Sequence, residues 1–203
     1  KQLSSSDAIL KDSEVIKEGT ALMKDGLGKA AIARIGKSLA QVVPQFNARA
    51  FQQEALQGLE PLELKARVYH LIDVLHRHYD LPFKKLSKYL QQLPQVWDRG
   101  EAADNKAGFA AWPIIDYVAV YGLQHPQEAL QTLEKLTPLF TSEYAIRPFI
   151  QQHYDITYQQ LLRWCDHPNE HVRRLASEGA RPRLPWGAQL PQFIKDPTPL
   201  EPL

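Results

Sequence analysis

From Gly28 onward the apolar residues recur at steps of three and four, and this period constrains the fold more than anything else in the chain. Ala31, Ile32, Ile35, Leu39 and Val42 form one stripe, which Pro44 ends. Asn47 caps a second helix through Phe51, Ala55 and Leu56, closed by Gly58. Pro61 sits where the first turn of a third helix tolerates it, and that stripe runs Leu64, Val68, Leu71, Ile72 and Leu75 to near Asp80. Pro82 opens a fourth helix, with Leu86, Tyr89, Leu90 and Leu93. The polar stretch 98–108 (DRGEAADNKAG) reads as a loop. A helix through Trp112, Ile115, Val118 and Ala119 then runs to Gly122, and a shorter one spans Gln127 to Leu136. Sustained period-two alternation is absent, and Asp25-Gly26 lies between helical segments rather than β-branched runs. The pattern predicts an all-α fold of at least eight helices, either a bundle or a solenoid of stacked helix pairs.

An internal likeness favours the solenoid. Glu143-Tyr144-Ala145-Ile146-Arg147 and Glu170-His171-Val172-Arg173-Arg174 both read Glu, ring, small aliphatic, any residue, Arg. Each follows a helix (Gln127 to Leu136, Tyr158 to Cys165) that ends in a Pro-containing turn. The expected fold is a right-handed α-solenoid of HEAT-like helix pairs, an α-α superhelix. Residues 1–25, with Ser4-Ser5-Ser6 and scattered charges, form a polar segment, and 26–203 the repeat domain. A first residue other than Met points to a trimmed start, and Pro197 to Leu203 reads as a helix opening without its end cap, so the domain is expected to be incomplete at its C-terminus.

Composition narrows the partners. A formal net charge of +1, from 24 basic and 23 acidic side chains, does not announce nucleic acid, so any such case rests on local clustering. No apolar run reaches the roughly 18 residues of a membrane span, and no signal peptide is evident, so no membrane contact is expected; the protein is expected to be cytoplasmic and a monomer. The single cysteine, Cys165, fits a reducing compartment and reads as a buried thiol rather than a nucleophile. His76 and His78 point to different faces of one helix and do not pre-form a metal site, and no phosphate-binding glycine loop is present. Neither a metal nor a nucleotide cofactor is expected.

The chemistry-bearing segment lies between Thr141 and Trp186. In His171–Trp186 (HVRRLASEGARPRLPW), Arg173, Arg174, Arg181 and Arg183 stand against one acid, Glu178. Guanidinium forks match phosphate oxygens, and two arginines on a helix with two on the following loop could clamp one nucleic-acid backbone. The alternative is an Arg-rich helix that only solvates a surface. Glu143 follows Thr141-Ser142, so a helix-start acid favoured by the dipole competes with a functional carboxylate.

TSEYAIRPFI at 141–150 and HVRRLASEGARPRLPW at 171–186 resemble hallmarks of AlkC-type 3-methyladenine DNA glycosylases. Leu62 to Arg67 and Phe109 to Leu123, with Trp112-Pro113, also look like that family, and the resemblance runs from about Phe46 to the end of the chain. It implies a HEAT-like solenoid whose concave basic face wraps double-stranded DNA containing alkylated bases. It implies a base-excision repair hydrolase that cleaves the N-glycosidic bond of N3-alkylated purines. By motif, Glu143 matches the catalytic carboxylate and Trp186 the aromatic beside the lesion sugar. Arg147, Arg173, Arg174, Arg181, Arg183 and Trp112 fall in the DNA-contacting strings. It implies action without rotating the base into a deep pocket. The family pattern continues into a further repeat carrying a second catalytic carboxylate, which this chain does not reach. The competing readings are a non-catalytic DNA-binding module and a HEAT-like protein–protein scaffold.

Overall fold

A computed structural model of the protein describes residues 23–203, so residues 1–22 of the expected polar segment lie outside the described residues. Among the described residues these α-helices follow one another: α1 (Lys29–Val42), α2 (Ala48–Leu56), α3 (Leu64–His78), α4 (Phe83–Leu90), α5 (Leu93–Val96), α6 (Trp112–Tyr121), α7 (Pro126–Leu136), α8 (Arg147–Gln152), α9 (Tyr154–Cys165), α10 (Glu170–Gly179) and α11 (Pro191–Lys195). There is no strand among the described residues. Helix α1 packs on α2, α2 on α3, α3 on α6, α6 on α7, α7 on α9, and α9 on both α8 and α10. The contacts link helices no more than four places apart in chain order, so the packing is passed along the chain as in an α-solenoid. Among the described residues no helix is long and apolar enough to cross a membrane.

The predicted stripes are the buried faces. Ile32, Ile35 and Leu39 of α1 and Leu71, Ile72 and Leu75 of α3 are essentially closed to solvent. Asn47 caps α2 as expected, its side chain accepting from Ala50 N at 3.0 Å. Helix α6 is buried through Trp112, Ile114, Ile115, Tyr117 and Val118, with α3 and α7 packed on it, and leaves open the face of Asp116, Ala119 and Val120.

Three helix boundaries differ from the sequence reading. Pro61 lies in the turn before α3, which starts at Leu64 behind Glu63. The helix opened by Pro82 stops at Leu90 and resumes as α5, because Pro94 near its start has no amide to continue the ladder. Glu143 is not in the first turn of a helix. Ser142 N donates to Thr137 Oγ1 at 3.2 Å, and Ser142 Oγ donates to Leu133 O at 3.3 Å. Glu143 N donates to Thr141 Oγ1 at 3.2 Å. These bonds tie 141–143 to the end of α7, and a turn carries the chain to α8 at Arg147.

Candidate functional site

Arg147 organises the segment between α10 and α11. It was expected among the DNA contacts, but its side chain is wholly buried. Its Nη1 donates to Gly179 O at 3.0 Å, its Nη2 to Pro182 O at 3.3 Å, and its Nε to Ala188 O. Burial, and then the nearby Arg181, lower its pKa from the ordinary guanidinium value. Three carbonyls satisfy the fork, so Arg147 is a clasp inside the protein rather than a surface cation. The clasp needs α10 close to the 143–146 turn, and Gly179 permits this, since a Cβ there would stand 2.8 Å from Ile146. Leu190 N to Pro182 O at 3.0 Å and Gln151 Nε2 to Gln189 O at 3.0 Å close the loop further.

At the outer end of this loop stands Trp186, 58% exposed and with φ of 65°. A bulky residue in the left-handed region carries on the order of 1–2 kcal/mol of strain, and such outliers cluster at functional sites. Lys65 of α3 donates its ammonium to the Trp186 carbonyl at 2.7 Å. Between them opens a cleft of about 220 Å³, lined by Lys65, Tyr69, Trp112, Asp116, Tyr144 and Trp186 among others. Trp112 was expected to contact DNA. It is buried instead, its ring stacked 5.3 Å from Phe140 and 5.5 Å from Tyr144. Its Nε1 donates to Asp116 Oδ2 at 2.8 Å, so its visible task is to hold that carboxylate.

Asp116 is the residue the sequence reading missed. Its Oδ1 is enclosed and has no hydrogen-bond partner. Burial pushes its pKa up to about 6, against the lowering pull of the Trp112 bond and the Lys65 charge. The available signal was the i, i+4 spacing of Trp112 and Asp116, which puts both on one face of an otherwise apolar helix. Lys65 could not be found that way, because its partner lies 121 positions away.

Glu143 is buried. Its Oε1 accepts from Arg174 Nε at 2.9 Å, while the Arg174 side chain remains 63% exposed. The pair raises the Arg174 pKa, chiefly through that hydrogen bond. The Glu143 carboxylate makes no capping bond, but it does not line the cleft. Tyr144 connects the two acids: burial raises its pKa first, and then the charges of Glu143 and Asp116. The other arginines are exposed. Arg181 pairs with Glu178 at 2.9 Å, and Arg173 donates to His167 O at 2.8 Å and Pro168 O at 3.0 Å. Arg183 is exposed beyond them on the loop. The structure therefore joins Glu143 to Arg174 and Trp186 to Asp116, and leaves Arg147 and Trp112 inside. Burial, and then Asp166, push the Cys165 thiol up, opposite to what a nucleophile needs.

No family model matches the chain. Over 182 residues it is 36% identical to the uncharacterized protein YhaZ of Bacillus subtilis (strain 168), covering 89% of this chain and 48% of that protein. Its fold matches that of the Pseudomonas fluorescens alkylpurine DNA glycosylase AlkC, bound to DNA containing an abasic site analog. The TM-score is 0.77 and the identity 29%, over 89% of this chain and 48% of that one. The chain spans about half the length of both and has an AlkC-like fold.

Proposed function

We propose that the protein is a DNA glycosylase that hydrolyses the N-glycosidic bond of N3-alkylated purines such as 3-methyladenine in duplex DNA, without a cofactor. One observation carries this reading: the cleft combines aromatic faces and an enclosed carboxyl with a free oxygen, beside a segment bearing four arginines. The likeness to a DNA-bound alkylpurine glycosylase agrees with it.

The chemistry follows from charge. An N3-alkylated purine is a cation, so it leaves as a neutral base and needs no general acid. As the C1′–N bond breaks, positive charge builds on the deoxyribose, and water adds at C1′. A carboxylate held in a poorly solvated site stabilises that charge and accepts the proton of the attacking water. Asp116, at the cleft, is the carboxylate assigned to this task, and Glu143, behind Tyr144, adds negative charge to the same wall. Trp186 packs its exposed ring against the lesion nucleotide, and Arg173, Arg174, Arg181 and Arg183 grip the phosphates. Binding should then weaken steeply with salt.

The test is release of free base from a methylated duplex, followed chromatographically, beside duplex binding measured at several salt concentrations. The proposal expects salt-dependent binding and release of 3-methyladenine. One observation favours a second reading, a module that grips DNA without cutting it: Glu143 is already neutralised by Arg174. Binding without release selects that module. Neither binding nor release leaves the protein–protein scaffold.

A further inference from the structure

Lys65 stands in the second position of α3, far in sequence from every residue of the Thr141–Trp186 segment. It is exposed, yet its ammonium is not left to solvent. It donates to the carbonyl of Trp186, the residue that holds an exposed indole on a left-handed backbone. Arg147 fixes the same loop from beneath through Ala188, and Lys65 fixes it from the outer side. Among the described residues that line the cleft, Lys65 is the cation and Asp116 the acid.

We propose that Lys65 is the positioning residue of this cleft: it holds Trp186 over the opening and supplies the positive charge facing Asp116. The groups around Asp116 leave that charge to Lys65. Helix α3 contributes Lys65 and Tyr69, and α6 contributes Trp112, which donates a neutral hydrogen bond. The 143–146 turn contributes Tyr144, with Glu143 behind it already held by Arg174. A solvated lysine on a helix surface would affect neither the indole nor the carboxyl. A tether across the cleft affects both, and its two effects separate by substitution. Lys65→Gln keeps a donor but loses the charge, Lys65→Met loses both, and Lys65→Arg keeps both.

The inference deepens the glycosylase reading and rests on it only for its consequence in excision. Its test needs no DNA. Trp97, Trp112 and Trp164 are 9%, 3% and 1% exposed, so fluorescence quenched by acrylamide reports Trp186. The carboxyl carbon shift of Asp116, assigned by its loss in Asp116→Asn, reports the titration near pH 6. Lys65→Met should change the quenching and move the titration to higher pH, because removing a nearby cation favours the neutral acid. Lys65→Gln should move the titration alone, and Lys65→Arg should restore both. In excision, the acidic limb of the rate profile should move upward with the carboxyl in Lys65→Met and Lys65→Gln. Unchanged quenching and an unchanged midpoint in Lys65→Met would overturn the role given to Lys65. A shifted midpoint in a protein that releases no base would instead uphold it and defeat the glycosylase reading.

Discussion

The segments 143–147 and 170–174 share one residue pattern and meet opposite fates. In both, the small aliphatic residue turns inward, Ala145 and Val172 each being 1% exposed. The charges diverge. Glu143 and Arg147 are buried, whereas Glu170 and Arg174 are exposed, with Glu170 opening α10 behind the Asn169 cap. The two segments also complete each other, since Arg174 of the second supplies the partner of Glu143 in the first. Apolar spacing therefore decides which residue faces the core. The fate of a charge depends on what lies over it. Arg147 sits under the carbonyls of 179–188, and Arg174 has only Glu143 on one side and solvent on the other.

The contrast can be broken at several points. Arg147→Met should be the most damaging change, costing roughly 3–5 kcal/mol, because three loop carbonyls lose their donor in a buried setting. Urea unfolding would read this loss, and proteolysis of the 180–190 loop should accelerate. Asp116 offers the next effect, with the opposite sign. Its folded pKa of about 6 lies above the ordinary 3.8, so the folded state binds the proton more tightly than the unfolded chain. Stability should fall as pH rises from about 4 to 6 and stay reduced above that. Asp116→Asn should then stabilise the protein by on the order of 2–3 kcal/mol at pH 8 and by little at pH 4. An equal effect at both pH values would contradict the burial argument. Arg174→Ala should cost about 1 kcal/mol, since the buried Glu143 loses its partner while an exposed guanidinium gives up little else. Thermal unfolding should separate it from Arg173→Ala, whose exposed side chain bonds only loop carbonyls and should cost about half as much or less.

The periodicity of apolar residues carried most of the fold. Asn47, Gly122 and the buried stripes of α1, α3 and α6 are all visible in the linear chain, because helix geometry is local. The site was less legible. Glu143, Arg174 and Trp186 were singled out through their strings, and the bond between Glu143 and Arg174 was not foreseen. Arg147 and Trp112 were expected among the DNA contacts and are buried, because no local rule tells a guanidinium in contact with phosphate from one that clasps three carbonyls 32 to 41 positions away. Asp116 went unnoticed because a single acid on an apolar helix carries little signal until its pairing with Trp112 and the cleft around it are known.

The sharpest form of the contrast is that Glu143, buried behind Tyr144 at the cleft, is assigned a part in excision, while Glu170 stands exposed at the matching position and has none. Single-turnover excision from methylated duplex, compared between Glu143→Gln and Glu170→Gln, tests this directly. The amide keeps the shape and removes the negative charge behind Tyr144. If that charge supplies about 3–4 kcal/mol to the transition state, Glu143→Gln should slow excision roughly 100- to 1000-fold with duplex binding largely intact. Glu170→Gln should excise at the parent rate. Equal rates in the two variants would contradict the account and leave Glu143 as the buried partner of Arg174 and nothing more.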